Sequence, residues 1–173
     1  MSFLSIEIKA RCHSSAKIRA ILENNNATFH GIDHQIDTYF NVSNGRLKLR
    51  EGNIENFLIH YERPDQAGPK SSEVSLYRSN PERNLKTVLS KALGIKVIVD
   101  KKRAIYFIEN VKFHLDEVQG LGSFVEIEAQ NKTTPFTVTQ LQEQCEYYLQ
   151  LFGIHEKDLI THSYSDFKNV DLK

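Results

Sequence analysis

The chain has 173 residues, of which 40% are hydrophobic and 25% are charged, as is usual for a soluble globular protein. Its 22 lysines and arginines balance its 22 aspartates and glutamates, which argues against a generally basic nucleic-acid-binding protein. No apolar run is long enough to cross a bilayer, and residues 1–9 do not resemble a signal peptide. Cys12 and Cys145 lie far apart, so they predict neither a disulfide framework nor a zinc site. We therefore expect one cytoplasmic domain over residues 1–173, with no membrane partner.

Strand and helix patterns alternate along the chain. In chain order we predict a strand at 3–12, a helix at 13–25, strands at 36–41, 46–51, 56–63 and 73–78, a helix at 80–94, strands at 96–109, 111–118 and 123–130, and a helix at 137–152. Ser14 or Ser15 can cap the first helix, and Gly94 can end the second. This order indicates an α+β fold, mostly antiparallel, with about eight strands and three helices.

The first and last predicted strands carry charged side chains on one face. In SIEIKARC, residues 5–12, Glu7 and Lys9 alternate with the apolar Ile6 and Ile8. In SFVEIEAQ, residues 123–130, the two glutamates likewise share one face of the strand. A half-buried strand normally turns a polar face to water, so one such strand is not evidence of a site.

Other strands repeat this pattern with a bias toward positive charge. The strand faces carry nine bases, namely Lys9, Arg11, Arg46, Lys48, Arg50, Arg63, Lys101, Arg103 and Lys112, and four acids, namely Glu7, Asp116, Glu126 and Glu128. Like charges on neighbouring strands repel unless water or a polyanion screens them. The pattern is therefore compatible with a solvated face or with a phosphate-binding surface. In the second case the clustered glutamates would suit a hard cation such as Mg²⁺ or Mn²⁺.

Several segments resemble the CYTH superfamily, the triphosphate tunnel metalloenzymes, and most of all its class IV adenylyl cyclase branch. SIEIK, residues 5–9, is similar to the N-terminal Glu-x-Glu-x-Lys signature of that family. The likeness continues through DTYFNVSNGRLKLRE, LIHYERPDQAGPKSS, VDKKRAIYFI, FHLDEVQGLGSFVEIEAQ and SYSDF, and it covers nearly the whole chain. The resemblance implies that the sheet closes into an antiparallel barrel, or tunnel, with the helices packed outside it.

The resemblance also implies roles for the charged residues. Glu7, Glu126 and Glu128 would bind Mg²⁺ or Mn²⁺ inside the tunnel. The resemblance and the charge pattern of the strand faces together give a phosphate-binding set. Its members are Lys9, Arg11, Lys48, Arg50, Arg63, Lys70, Lys101, Arg103 and His114. Of these, Lys9, Arg50 and Arg103 are the expected catalytic groups. The chain departs from the signature at Ser5, where the family has its first glutamate and where a neutral hydroxyl is a weaker ligand for a hard cation.

The activity implied by the resemblance is conversion of ATP to cAMP and pyrophosphate. Two alternatives stay open. One is a hydrolase of tripolyphosphate or thiamine triphosphate, and the other is a non-catalytic module that binds polyphosphate, nucleotide or RNA. The expected partner is a nucleoside triphosphate or inorganic triphosphate; nucleic acid is not favoured, and a homodimer is compatible with the sequence.

Overall fold

Strands dominate the computed structural model, which describes residues 1–80 and 83–170. Its elements are β1 (Ser2–Arg11), α1 (Ser15–Asn24), β2 (Thr28–Phe40), β3 (Arg46–Glu51), β4 (Asn56–Glu62), β5 (Lys70–Arg78), α2 (Arg83–Leu93), β6 (Ile95–Ile108), β7 (Val111–Val118), β8 (Gly122–Gln130), α3 (Val138–Leu151) and α4 (Tyr164–Val170), with a short 3₁₀ turn at Glu156–Asp158. None of the helices in these described ranges is long and apolar enough to span a membrane. The extent of one domain over residues 1–173 stays a prediction.

The eight strands form a closed barrel in the order β1-β5-β4-β3-β2-β6-β7-β8, with β8 paired back to β1. Each neighbouring pair is antiparallel. This arrangement confirms the predicted α+β class and the closed antiparallel tunnel. Closure leaves no free sheet edge and gives every strand one face inside the barrel and one outside.

The main apolar core lies outside the barrel wall, underneath α1 and α3. Ile6 and Ile8 of β1 point outward and pack with Leu22 of α1 and Leu141 of α3. Cys145 of α3 belongs to the same core and has a free thiol. Because side chains alternate along a strand, burying the apolar face under helices turns Glu7 and Lys9 into the barrel interior.

The start of β2 differs from the sequence prediction. We predicted a strand from residue 36, whereas β2 begins at Thr28. The side chains of Asp33, Gln35 and Asp37 are fully buried although they are polar, so the usual hydrophobic alternation is hidden. Gly31 has a φ of +121°, and the pairing with β6 shifts register there, which interrupts the pattern further.

The helix ends mostly follow the sequence signals. Ser14 caps α1 by accepting a hydrogen bond from the Lys17 amide, and Gly94 follows α2 with a φ of +76°. The predicted start of the second helix includes Pro81, which lies outside the described residues. The sequence analysis did not predict α4, which has only seven residues.

Candidate active site

A cavity of about 300 Å³ runs inside the barrel. At one end it is lined by the exposed residues Glu109, Lys132 and Thr133, so this end is the mouth. At the other end Ser163 and Tyr164, both nearly fully buried, cover it. We call this space the tunnel cavity. Its closed end excludes bulk water, which strengthens electrostatic interactions there.

Ten of the twelve predicted site residues line the tunnel cavity. They are Glu7, Lys9, Lys48, Arg50, Arg63, Lys101, Arg103, His114, Glu126 and Glu128. Arg11 does not reach it: it is the last residue of β1, it is exposed, and its guanidinium carbon lies 5.4 Å from the centre of the Phe124 ring. The period of two thus gives the face of a strand correctly but not the depth along the barrel.

Lys70 is buried but lies away from the cavity lining. Its Nζ donates hydrogen bonds to the carbonyl oxygens of Ile160, at 2.9 Å, and Thr161, at 2.7 Å. Burial lowers its pKa to about 8. In this structure Lys70 therefore ties down the segment that leads into Ser163 and Tyr164, which cover the deep end.

Carboxylates gather where β1, β8 and β7 meet. Glu7 lies opposite Glu128, and Lys9 lies opposite Glu126, in the register of β1 with β8. Glu7 also accepts a hydrogen bond from Arg63. Single donor atoms of Glu126, Glu128 and His114 all lie within 4.8 Å of one another. Two carboxylates and an imidazole at this spacing form a donor set that a divalent cation could bridge.

His114 differs from the other donors because neither of its ring nitrogens has a hydrogen-bond partner among the described residues. The nearest carboxylate oxygen, on Glu126, is 3.7 Å from Nδ1, which is beyond hydrogen-bond distance. Burial, together with the positive charge of Arg103, lowers the pKa of His114 to about 3. The ring is therefore neutral at physiological pH and keeps a lone pair free for a ligand. The free lone pair of His114 and the carboxylate oxygens of Glu126 and Glu128 together offer a donor set that fits a divalent metal ion.

A buried aspartate that the sequence analysis missed holds three of the bases. Asp37 of β2 is fully buried and accepts two hydrogen bonds from Arg50, both at 2.9 Å. The ammonium nitrogens of Lys101 and Lys48 lie 2.7 and 3.3 Å from the same carboxylate. Burial alone would raise the pKa of Asp37, but these three cations hold it well below its usual range. Arg50 and Lys101 are thus fixed in place before any ligand arrives, whereas Lys48 is held more loosely.

Arg103 is held in the same manner by Asp116 of β7, which accepts two of its hydrogen bonds, at 2.7 and 2.6 Å. The hydroxyl of Tyr164 donates to the same carboxylate at 2.7 Å. The ring of Tyr164 in turn lies 3.9 Å from the ammonium nitrogen of Lys9. The deep end of the tunnel cavity is therefore one connected polar network.

Glu55 is a second acid that the sequence analysis missed, because it lies in the β3–β4 loop and not on a strand. Its carboxylate accepts hydrogen bonds from Arg50 and Lys112 inside the cavity. Asp33 fixes this loop by accepting hydrogen bonds from the amides of Ile54, at 2.8 Å, and Glu55, at 2.9 Å. No local pattern marks a loop residue that reaches into a barrel.

Toward the mouth, one side of the tunnel cavity is apolar. Phe3 of β1, Phe57 and Ile59 of β4, and Val74 and Leu76 of β5 line it. They belong to a second apolar cluster, which lies inside the barrel. The cavity therefore has a charged deep half and a mouth with an apolar wall.

Comparison with known proteins agrees with this architecture. The family model for the CYTH domain matches residues 4–164. A protein of Methanocaldococcus jannaschii that carries the name "Putative adenylate cyclase" is 26% identical over 181 residues, covering 96% of this chain and 99% of the relative.

Solved structures are similar in fold. A protein of Pyrococcus horikoshii superimposes with a TM-score of 0.73 and 25% identity, covering 94% of this chain and 98% of its own. A Hippeastrum protein with a dominant triphosphatase activity has a TM-score of 0.57 and 18% identity, covering 97% of this chain and 95% of its own, which is a likeness of fold alone. Since the family model spans nearly the whole described chain, this protein belongs to the CYTH family of metal-dependent triphosphate tunnel enzymes.

Proposed function

We propose that this protein is a metal-dependent enzyme acting on a nucleoside triphosphate, with conversion of ATP to cAMP and pyrophosphate as its first candidate reaction. The observation that carries the proposal is the charged deep half of the tunnel cavity. Bases from four strands, β1, β3, β6 and β7, line it together with Arg63, which follows β4, beside the cluster of Glu126, Glu128 and His114. A polyphosphate chain placed there would share these bases with the carboxylates that pair with them in the free protein.

The bases would have two different tasks. Arg50 and Lys101, braced by Asp37, and Arg103, braced by Asp116, are fixed donors that need no rearrangement when a phosphate arrives. Lys9 and Lys48 are held less tightly, at 3.4 and 3.3 Å from their nearest carboxylates, and can turn toward phosphate oxygens. We retain Lys9, Arg50 and Arg103 as the proposed catalytic groups.

Glu126, Glu128 and His114 would hold the divalent cation, with Glu7 on the neighbouring strand. Their carboxylate oxygens favour Mg²⁺ or Mn²⁺. When bound, such a cation would polarise a phosphate oxygen and favour ionisation of an attacking hydroxyl. The glutamates themselves would lose their present basic partners to the phosphates, since Lys9 and Arg63 now neutralise Glu126 and Glu7.

The apolar wall at the mouth favours an organic triphosphate over inorganic tripolyphosphate. Inorganic tripolyphosphate has no apolar group that could pack against Phe3, Phe57 and Leu76, whereas ATP can bury its adenine ring there. Hydrolysis stays the second candidate, because the same bases and metal serve an attacking water and the outcome depends on which phosphorus faces the nucleophile. The triphosphatase activity of the Hippeastrum protein illustrates that this fold supports it.

Product analysis tests the proposal. The protein is incubated with ATP or with tripolyphosphate, in Mg²⁺ or Mn²⁺, and every phosphate-containing product is identified. We expect cAMP and pyrophosphate in equal amounts from ATP. Orthophosphate release from either substrate would favour the hydrolase instead, and tight binding without any turnover would leave only a binding module.

Lys48→Met tests the phosphate-binding role. The ammonium group of Lys48 is one of the less tightly held cations, so its removal should weaken tripolyphosphate binding by about ten- to a hundredfold, as for loss of a charge-assisted hydrogen bond. AMP binding should change much less. Lys102→Met is the matched control, because Lys102 is exposed on the outer face of β6. If calorimetry shows the same loss of tripolyphosphate affinity for the two variants, Lys48 does not belong to the phosphate site.

A further inference from the structure

Three uncharged polar side chains lie side by side across the inner wall of the barrel. Ser5 of β1 pairs with Ser72 of β5 on one side and with Gln130 of β8 on the other. All three share the inward face of their strands with residues that line the tunnel cavity, and Ser72 and Gln130 line it themselves. We call Ser72, Ser5 and Gln130 the serine row.

The two hydroxyls of the serine row have no hydrogen-bond partner among the described residues, although both are almost completely buried. Ser5 is 0% exposed and Ser72 is 1% exposed. A buried hydroxyl without a partner is costly, and native proteins rarely keep two of them next to each other without a ligand or water to satisfy them. The row therefore has unused hydrogen-bonding capacity that a ligand or a water molecule inside the barrel can satisfy.

The position of the serine row limits which group that can be. Next to it along β1 on the deep side is Glu7, opposite Glu128, and next to it on the mouth side is Phe3, opposite Val74. The row thus lies where the charged half of the cavity meets the apolar wall. A triphosphate ester bound with its phosphates at the bases would place the link between phosphate and organic group at this boundary.

The neutrality of the row limits the ligand further. Neither serine can neutralise a cation, and each can both donate and accept a hydrogen bond. Such a surface can pair with a sugar hydroxyl, which also donates and accepts, whereas it supplies no charge that would neutralise a metal ion or a phosphate. The carboxamide of Gln130 adds a second donor and acceptor beside them.

We propose that the serine row binds the ribose hydroxyls of the substrate, with Ser72 in contact with the sugar and Ser5 completing its hydrogen bonding. The row then selects a ribonucleoside triphosphate over a triphosphate whose organic group lacks hydroxyls. This inference rests on the proposed function, because it needs the phosphates to occupy the deep half. It assigns a specificity-determining role to the position where the chain departs from the family signature.

The test compares binding of three probes by the wild type and by a Ser5→Ala, Ser72→Ala double variant. The probes are ATP, 2′,3′-dideoxy-ATP and tripolyphosphate, each titrated by calorimetry with a chelator present so that no turnover occurs. We expect the double variant to bind ATP about tenfold more weakly, as for the loss of two neutral hydrogen bonds. Binding of the other two probes should change less than twofold. Equal weakening of ATP and dideoxy-ATP, or no weakening of ATP, would overturn the proposal.

Ser71→Ala is the matched control, because Ser71 is the neighbour of Ser72 on the exposed outer face of β5. The double variant should melt at or above the wild-type temperature, since it removes hydroxyls that are unsatisfied in the free protein. A wild type that binds tripolyphosphate yet does not distinguish ATP from dideoxy-ATP overturns the serine row alone. A wild type that binds none of the three probes, either with the chelator or in Mn²⁺, overturns the proposed function as well.

Discussion

Asp37→Asn should lower the free energy of unfolding by about 3–5 kcal/mol, which is the usual cost of removing one partner from a buried ionic network. Asparagine keeps the shape of the side chain but not its charge. Arg50, Lys101 and Lys48 would then face each other inside the barrel without the carboxylate that they share. Urea denaturation monitored by circular dichroism measures the difference.

Asp100→Asn is the control for this variant. Asp100 is a partly exposed residue of β6 whose carboxylate is 2.7 Å from His34 at the barrel surface, where solvent weakens the pair. We expect its effect to stay below about 1 kcal/mol. Similar losses for the two variants would show that Asp37 is not the electrostatic centre of the barrel. If added tripolyphosphate restores the stability of Asp37→Asn, an external anion can replace the carboxylate charge that the variant lacks.

The same carboxylate predicts how stability depends on pH. The pKa of Asp37 is held well below its usual range, and Asp116 and Glu55 are shifted in the same direction by their basic partners. A carboxyl whose pKa is lower in the folded than in the unfolded state stabilises the fold above its unfolded pKa of about 4, and this contribution is lost as the pH falls. The melting temperature of the wild type should therefore fall steeply below about pH 4. The fall should be less steep for Asp37→Asn.

The faces of the strands could be read from the sequence, because the outer core under α1 and α3 demands apolar residues at every second position. Ile6 and Ile8 point outward for this reason, so Glu7 and Lys9 had to point inward. Alternation gives no depth along the barrel axis. Arg11 has the right parity but lies at the end of β1, where it contacts Phe124 outside the cavity.

The acids that organise the site were harder to predict. Asp37 and Asp33 lie on a strand whose inner face is polar, which hides the hydrophobic alternation that identifies strands. Glu55 reaches the cavity from a loop, and only the closed barrel brings that loop beside Lys112. A count of bases and acids on strand faces therefore overestimated the positive charge available to a ligand. Much of that charge is already neutralised by carboxylates that only the tertiary structure brings near.

Glu126→Gln and Glu128→Gln should each reduce metal-dependent turnover by roughly a hundred- to a thousandfold. A bound cation supplies several kcal/mol of transition-state stabilisation, and either change removes an anionic ligand from the proposed site. Release of pyrophosphate and orthophosphate gives the rates. The shift in melting temperature caused by Mn²⁺ without substrate gives metal binding independently of turnover.

The two variants should differ in stability, and this difference separates a metal ligand from a purely structural acid. Glu126 lies close to Lys9, at 3.4 Å, and Arg103, at 3.7 Å, so its neutralisation leaves buried cations less well compensated. Burial raises the pKa of Glu128, and Lys112 and a hydrogen bond with Gln130 oppose this shift only in part, so a neutral glutamine costs little there. Glu128→Gln should therefore keep the wild-type melting temperature while losing both turnover and the Mn²⁺ shift. Glu117→Gln, on the exposed face of β7, is the control and should change none of the three measurements. A Glu128→Gln variant that keeps its Mn²⁺ shift would place the cation elsewhere in the tunnel.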